Sequence, residues 1–459
     1  MPTIIGAIRD KWMSIGGNSS FLGAPQTDEL GCPDGVGRFN HFQGGSIYWT
    51  PATGAQLIYG SIREKWASMG WETSLLGYPV TDELGCPDGV GRFNHFQGGS
   101  IYWTPQTGAQ LIYGSIREKW ASMGWETSLL GYPVTDELGC PDGVGRFNHF
   151  QGGSIYWTPN TGAQLIYGSI REKWASMGWE NSFLGYPVTD ELGCPDGVGR
   201  FNHFQGGSIY WTPNTGAHFV LGAIRDAWAS QGWETGSLGY PRTDELVTEG
   251  TNGQGRHSIF EGGEIYWTPA GGAKVKLYQT NVEIWFSGFR CLNESSEWSG
   301  SDEPYMFLGV STSGQAQTPH ETGVISVDKG TVIRSATRLY SGVAEDVILA
   351  VVIRELDEGD PHAFSGAFRS ILEVGNTALK LKTGASVPSE VVKLISNKLS
   401  ELVGAGDDDV GRRAELLTKD NLIRMARQAE SGDPVADFTW DLGSDSEGIY
   451  RLYFFVRKV

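Results

Sequence analysis

The stretch GRFNHFQGGSIYWTP occupies residues 37–51, and the same fifteen residues return at 91–105, 145–159 and 199–213. A fifth, altered copy follows at 255–269. Aromatic and β-branched residues alternate with polar ones on both sides of a Gly-Gly pair, a pattern that predicts a β-hairpin. Because an isolated hairpin is marginally stable at best, the copies must bury their apolar faces on one another.

The hairpin is one part of a longer repeat, whose period is set by five tryptophans spaced 54 residues apart: Trp12, Trp66, Trp120, Trp174 and Trp228. A period near this length is typical of propellers, solenoids and arrays. Before each hairpin lies a segment such as GSIREKWASMGW, which predicts a helix with an apolar stripe of Ile62, Trp66 and Met69 that ends at Gly70. Ser61 and Glu64 would cap its start. The Gly- and Pro-rich segment between helix and hairpin predicts a loop.

A two-residue turn at Gly44-Gly45 would place Phe42 opposite Ile47 and His41 opposite Tyr48. Alternation then gives one face with Arg38, Asn40, Phe42, Ile47 and Trp49, and another with Phe39, His41, Gln43, Ser46, Tyr48 and Thr50. The fifth copy changes the first face at one position and the second at four. We therefore expect the first face to be buried and the second to be more exposed.

The fold class predicted is mixed and β-rich, with two domains. Residues 1–275 would form a closed, propeller-like ring of helix-plus-hairpin repeats with pseudo-five-fold symmetry, since no distinct polar cap marks either end. Residues 276–459 lack the period. Their β-branched and aromatic runs predict a β-sandwich-like α+β domain with a helical insertion near 362–430.

The formal net charge of −18 argues against nucleic acid as a partner. No stretch is apolar for long enough to cross a membrane, and the N-terminus shows no secretion leader. As written, the chain is expected in the cytoplasm, with action at a cell surface left open. Four of the five cysteines occupy equivalent repeat positions and the total is odd, so we expect no disulfide framework.

The segment Leu76-Gly77-Tyr78-Pro79, followed by TDE, GRFNHF and GGSIYWTP, closely resembles the LGFP repeat, and the likeness covers residues 1 to about 275. The third letter of the family motif is Tyr here and Ala24 in the first repeat. The resemblance implies a module that anchors proteins to polysaccharide in the cell walls of mycolic-acid bacteria, often beside an enzyme domain. It does not name the sugar or describe the C-terminal region.

Sugars need a flat aromatic surface beside a few planar hydrogen-bonding groups, and the second hairpin face supplies both. The predicted carbohydrate-binding residues are Asn40, His41, Gln43, Tyr48, Asn94, His95, Gln97, Tyr102, Asn148, His149, Gln151, Tyr156, Asn202, His203, Gln205, Tyr210 and Tyr266. The alternative is that each His–Tyr pair packs at a seam between repeats.

The sequence contains two groups of residues of the types that bind metals. Cys32 and His41 lack the usual spacing of a zinc site. In the C-terminal domain, two acidic loops could hold calcium through Asp302, Glu303, Asp357 and Asp360, with solvated loop carboxylates as the alternative. No other cofactor is expected.

The repeats contain no G-x-S-x-G, H-E-x-x-H or Cys/His/Asn signature. The leading hypothesis is therefore a non-enzymatic, multivalent carbohydrate-binding protein whose C-terminal domain acts as an effector, a second binding module or a dimerisation domain. The competing hypothesis is an enzyme with catalysis in the C-terminal domain and repeats that target it. A purely structural interaction protein is the third.

Overall fold

The computed structural model describes residues 2–295, 302–314, 318–356, 364–381, 389–402, 409–430, 437–444 and 446–459. It divides into two compact units, one formed by Met1–Arg225 with Pro241–Glu245 and the other by Asp226–Tyr240 with Leu246–Val459. The sheets of repeats one to four lie in the first unit, and that of repeat five lies in the second with the C-terminal region. The domain border at 275 and the closed ring stay predictions.

We count each repeat from the start of its helix. The helices α1 to α5 span Gly6–Ser14, Gly60–Ser68, Gly114–Ser122, Gly168–Ser176 and Gly222–Ser230. One turn of 3₁₀-helix follows each, at Gly17–Ser19, Trp71–Thr73, Trp125–Thr127, Trp179–Asn181 and Trp233–Thr235. The apolar stripe is confirmed, with Ile62 and Trp66 buried and Met69 half-buried. The predicted capping box is wrong, because the helix begins at Gly60 and no side chain caps it.

Each repeat contains a four-stranded antiparallel sheet whose strands are neighbours in chain order. The strands are β1 to β4 at Leu30–Gly31, Arg38–His41, Gly45–Thr50 and Gly54–Tyr59; β5 to β8 at Leu84–Gly85, Arg92–His95, Gly99–Thr104 and Gly108–Tyr113; β9 to β12 at Leu138–Gly139, Arg146–His149, Gly153–Thr158 and Gly162–Tyr167; β13 to β16 at Leu192–Gly193, Arg200–Phe204, Gly207–Thr212 and Gly216–Leu221; and β17 to β20 at Leu246–Val247, Arg256–Phe260, Gly263–Thr268 and Gly272–Leu277. The predicted hairpin is the central pair, and the sequence reading missed the two flanking strands.

The predicted hairpin register is wrong by two residues. His41 pairs with Ser46 and Asn40 with Ile47, so the turn lies at Gln43-Gly44. Neither Gly44 nor Gly45 adopts a positive φ. They are needed for close packing instead, because a Cβ on Gly44 would lie 2.2 Å from a backbone carbonyl oxygen. A shift of two preserves the two faces, since side-chain direction has a period of two.

Both faces of the hairpin contain buried residues, and the second, expected to be the more exposed, also has half-buried Phe39 and His41 and exposed Gln43. Phe42 and Ile47 pack in the core of their own repeat. Tyr48, on the other face, is only 3% exposed and packs against Trp66 of the next repeat. Consecutive repeats in the first unit therefore share hydrophobic cores, as an array of small modules requires.

The C-terminal region forms two further four-stranded antiparallel sheets, ordered β24-β21-β28-β27 and β23-β22-β25-β26. Its strands β21 to β28 span Asn281–Ser295, Pro304–Ser311, His320–Glu321, Val332–Val343, Val347–Glu355, Asp409–Leu417, Asp437–Ser444 and Glu447–Lys458. Its helices α6 to α8 span Ser365–Lys380, Ser389–Ser400 and Lys419–Glu430. One core contains residues of both sheets, which makes a sandwich. The predicted helical insertion is interrupted by strand β26.

In the described part of the chain, no helix combines the length and the apolar character needed to cross a bilayer.

Candidate functional site

A group of aromatic rings recurs at each seam between consecutive repeats of the first unit. At the first seam, Phe39 and Tyr48 of repeat one stack with their ring centroids 5.1 Å apart. Trp71 of repeat two stacks on Tyr48 at 5.9 Å and lies 5.9 Å from the ring of His41. Phe39, His41 and Trp71 are half-buried, so part of each ring reaches solvent.

An arginine of the second repeat completes the group. The guanidinium of Arg63 lies 5.2 Å from the centroid of the Trp71 ring. Its Nε donates to Ser46 Oγ at 2.6 Å, and one Nη lies 3.3 Å from His41 Nδ1. We call Phe39, His41, Tyr48, Arg63 and Trp71 the seam cluster. It recurs at the second seam as Phe93, His95, Tyr102, Arg117 and Trp125 and at the third as Phe147, His149, Tyr156, Arg171 and Trp179.

The histidine of the cluster is neutral near pH 7. Burial, and next the neighbouring arginine, lower the pKa of His95 to about 4, and the same causes act on His149. Ser100 Oγ accepts from Arg117 and lies 2.7 Å from His95 Nδ1, an arrangement in which the serine hydroxyl donates to that nitrogen. The proton of the imidazole is thereby assigned to Nε2, which can donate to a ligand.

These histidines make the fold sensitive to acid. A histidine has a pKa near 6.5 in an unfolded chain, so between about pH 6.5 and 4 the unfolded state binds more protons than the folded state. The contribution of His95 to stability is complete above pH 6.5 and is lost as the pH falls towards 4. Buried Glu83, Glu137 and Glu191, whose pKa burial raises to about 8, act in the opposite direction, so the test is the difference between variants. When urea unfolding at pH 7 is compared with pH 5, we expect His95→Gln to lose less stability than the unmodified chain, and we expect an NMR titration midpoint of His95 near 4. A midpoint at 6.5 would contradict this account.

The tryptophan of the cluster has a strained backbone. Trp71, Trp125, Trp179 and Trp233 have φ between 56° and 57°, a region that favours glycine. Repeat one has Gly17 at the equivalent position, with φ 55°. A bulky residue in this conformation costs of order 1–3 kcal/mol and is found most often at functional sites. A large aromatic ring is thus retained at the seams although glycine would fit the backbone better.

Glu72, beside Trp71, is only 8% exposed. Its buried Oε1 has no hydrogen-bond partner among the described residues, and burial raises the pKa of this carboxyl. An unpartnered buried oxygen is costly, and a donor group of a ligand could satisfy it.

The tyrosine of the LGYP segment forms hydrogen bonds to the preceding repeat across each seam. Tyr132 donates its hydroxyl to Asp88 of the preceding repeat at 2.7 Å and accepts from the backbone N–H of Gly91 at 3.1 Å. Repeat one has Ala24 at this position. In the later repeats of the first unit, this tyrosine and the strained tryptophan both contact the preceding repeat. Repeat one has neither residue at these positions.

Tyr132→Phe should destabilise the protein by about 1–3 kcal/mol, because a buried N–H and a carboxylate lose their shared partner. Urea unfolding followed by circular dichroism measures the change. A matched control is Tyr113→Phe, which removes a hydroxyl from a half-buried tyrosine elsewhere in the array and should cost less. Equal losses in the two variants would contradict the anchoring role.

The predicted binding residues fall into distinct places. His41, His95 and His149 lie in seam clusters; His203 makes the same contact with a serine as they do, to Ser208. Four of the predicted residues are tyrosines that are at most 3% exposed: Tyr48, Tyr102, Tyr156 and Tyr210. The first three are the buried members of the seam clusters. Asn40, Asn94, Asn148 and Asn202 are fully buried and donate to backbone carbonyls. Gln43, Gln97, Gln151 and Gln205 are exposed but hold the LGAP or LGYP backbone with Oε1. Tyr266 is half-buried and stacks on His257.

Sequence reasoning missed Trp71 and Arg63. The available signal was the contrast between Gly17 in repeat one and tryptophan in the later repeats.

Of the four residues proposed for calcium, the structure describes two, Asp302 and Glu303. Asp302 is 2% exposed, and its oxygens accept from Ser295 and from the Tyr450 hydroxyl. Glu303 is exposed, and Asp357 and Asp360 lie outside the described residues. In the described ranges no three His, Cys, Asp or Glu residues are grouped to hold a metal ion. No disulfide joins the five cysteines, which all lie in the described ranges and are buried, and burial raises the pKa of Cys32 to about 11.

Stacked modules with a composite cluster at each seam define a tandem-repeat protein of the kind that presents several like surfaces. The family model described as LGFP repeat matches residues 22–74, 76–128, 130–182, 184–236 and 238–277, which is just over half of the chain. The chain therefore belongs to the LGFP repeat family, which confirms the resemblance seen in the sequence.

Two other comparisons add little. No curated protein matches the chain. A solved structure of human GIVD cytosolic phospholipase A2, in complex with methyl gamma-linolenyl fluorophosphonate inhibitor and terbium chloride, is similar over 39% of this chain and 17% of that chain, at 10% identity and a TM-score of 0.20. A likeness this small carries no argument about fold or function.

Proposed function

We propose that this protein binds a polysaccharide of a cell surface through its seam clusters, without catalysing a reaction. The observation that carries the proposal is the recurrence, at three seams, of a strained, half-buried tryptophan beside an arginine and a neutral histidine. Family membership is in accord with a role at cell surfaces.

The chemistry of a seam cluster suits a neutral sugar. Half-buried rings offer apolar surface to the C–H face of a pyranose or furanose. The guanidinium and the His95 Nε2–H donate to hydroxyl oxygens, and at the first seam the buried Oε1 of Glu72 can accept from a hydroxyl.

Repetition raises the affinity for a polymer. Equivalent clusters on one rigid array bind successive parts of one chain, and the second contact is intramolecular once the first is made. Weak sites are then sufficient. We also propose that the five repeats close into a ring. Such a ring would display the seams around one axis.

The competing proposal is an enzyme with its chemistry in the C-terminal domain. No observation in the described residues favours it over a second binding module, the role that we propose for this domain.

A panel of immobilised polysaccharides tests the proposal. We expect the intact chain to bind at least one neutral cell-wall polysaccharide, with a loss of binding when the three seam tryptophans are replaced. Absence of binding to every polysaccharide, with the chain shown to be folded by circular dichroism, would overturn it. Measured hydrolysis of a bound polysaccharide would favour the enzyme.

A further inference from the structure

One face of the sheet β24-β21-β28-β27 is rich in arginine. Phe286 of β21 and Phe454 of β28 point into the sandwich core, so the alternate residues of these strands point to solvent. The outward residues include Glu283, Trp285 and Arg290 from β21, Arg334 and Arg338 from β24, Asp441 from β27, and Arg451, Tyr453, Phe455 and Arg457 from β28. We call this set the arginine face.

Two like charges oppose each other across the middle of this face. Arg290 pairs directly with Arg451 on the neighbouring strand. Arg334 lies diagonally from Arg290 on the other side, because Arg290 pairs with Val332. Like charges at opposed positions destabilise a sheet. Arg290 and Arg334 are both exposed, and the only carboxylate paired with this group is Asp441, which binds Arg451, in the described part of the domain.

A second pair of arginines is held in place by an aromatic stack. Trp285 stacks on Phe455 with an interplanar angle of 3°. The guanidinium groups of Arg338 and Arg457 lie 6.0 and 4.7 Å from the Trp285 ring, and both form ion pairs with Glu283. Although burial raises it, hydrogen bonds from these arginines and from Trp285 lower the pKa of Glu283 to about 2. One carboxylate thus orients two cations and neutralises only one.

The result is a cluster of arginines on an acidic chain. The described side chains of the face include five arginines and two carboxylates, and the strand register places Asp437 and Glu447 at outward positions near its ends, so basic residues outnumber acidic ones by one on the face, whereas the whole chain has a formal charge of −18. The side chains of Arg338 and Arg457 are each 53% exposed despite their ion pairs. Exposed, pre-oriented guanidinium groups match carboxylate, sulfate or phosphate groups in a bidentate manner.

We infer that the arginine face binds an acidic polysaccharide. A flexible polymer contacts the face alone and is screened from the acidic remainder beyond about 8–10 Å. An anionic bilayer extends under the whole molecule and would be repelled by the net charge. Single-stranded nucleic acid needs a row of open rings on which successive bases stack, whereas guanidinium groups cover the indole of Trp285, Phe455 stacks on that indole, and Tyr453 is half-buried. This site is independent of the neutral-sugar sites proposed for the repeats.

The test uses the full chain and fluorescent heparin as the probe, with fluorescence anisotropy as the readout. The variant R290E/R334E changes two exposed arginines that hold no ion pair in the described structure. We expect it to weaken heparin binding at least tenfold, and binding by the unmodified chain to fall steeply between low and high salt. Neutral dextran should not compete.

The matched control is R9E/K274E, which makes the same change in net charge at two exposed positions of the repeats. It should retain heparin binding within about twofold, as should the seam-tryptophan variant. Equal weakening by R9E/K274E would show an effect of net charge and overturn the assignment. Binding of phosphatidylserine vesicles or of an oligothymidine strand in place of heparin would overturn it as well.

Discussion

Replacing Trp71, Trp125 and Trp179 together by glycine should abolish polysaccharide binding, with a loss of apparent affinity of more than about a hundredfold. Glycine is the residue that repeat one has at this position with the same backbone conformation, so the substitution relieves strain as it removes the ring. Each single replacement should cost less, because the remaining seams still hold the polymer. Binding to the immobilised polysaccharide is measured by surface plasmon resonance.

A control triple variant exists in the same loops. Leu75, Leu129 and Phe183 lie in repeats two to four and are 54% to 60% exposed, so their replacement by alanine removes apolar surface close to the seams but outside the clusters. This control should bind as the unmodified chain does. A folded triple-glycine variant with unchanged affinity would contradict the seam as the binding site.

The largest effect on stability is expected for Trp120→Ala, at about 3–5 kcal/mol. The Trp120 ring is fully buried and contacts Tyr102 of the preceding repeat at 4.7 Å, Trp125 at 5.2 Å and Phe150 at 5.4 Å. Its removal leaves a cavity in the core that the two repeats share. Urea unfolding followed by far-ultraviolet circular dichroism measures it.

Since Trp120 joins two repeats, the unfolding transition should also broaden, because coupling between neighbours makes an array cooperative. Leu129→Ala in the same repeat is the control and should change the free energy of unfolding by less than about 0.5 kcal/mol. A loss below about 1 kcal/mol in Trp120→Ala would show that the repeats do not depend on this shared core.

Local patterns were sufficient for the helix and the central hairpin of a repeat, but not for its two flanking strands. Period-two alternation identified the hairpin and its two faces, and the spacing of Ile62, Trp66 and Met69 identified the buried side of the helix. The turn was misplaced because Gly44 and Gly45 are set by close packing and not by a positive φ. Turn statistics cannot distinguish these two demands on glycine.

The site could not be read in the same way. Trp71 and Arg63 belong to one repeat, whereas His41 and Tyr48 belong to the one before, and nothing in a single repeat shows which faces meet. The sequence predicted that the His41–Tyr48 face is the more exposed one but did not show that Tyr48 is buried, because a face that looks polar in one module packs against the next module in an array. The sequence did not show strand β26 either. The segments before and after it in the chain are helices, so the whole stretch was predicted as one helical insertion.

A crystal structure of the chain with an oligosaccharide fragment of a polysaccharide that it binds tests the central claim most directly. We expect a sugar ring at each of the three seams, in contact with Trp71, Trp125 or Trp179 and within hydrogen-bond distance of the histidine Nε2 of the preceding repeat. An oligosaccharide bound elsewhere on the repeats, with the three seams empty, would contradict the account.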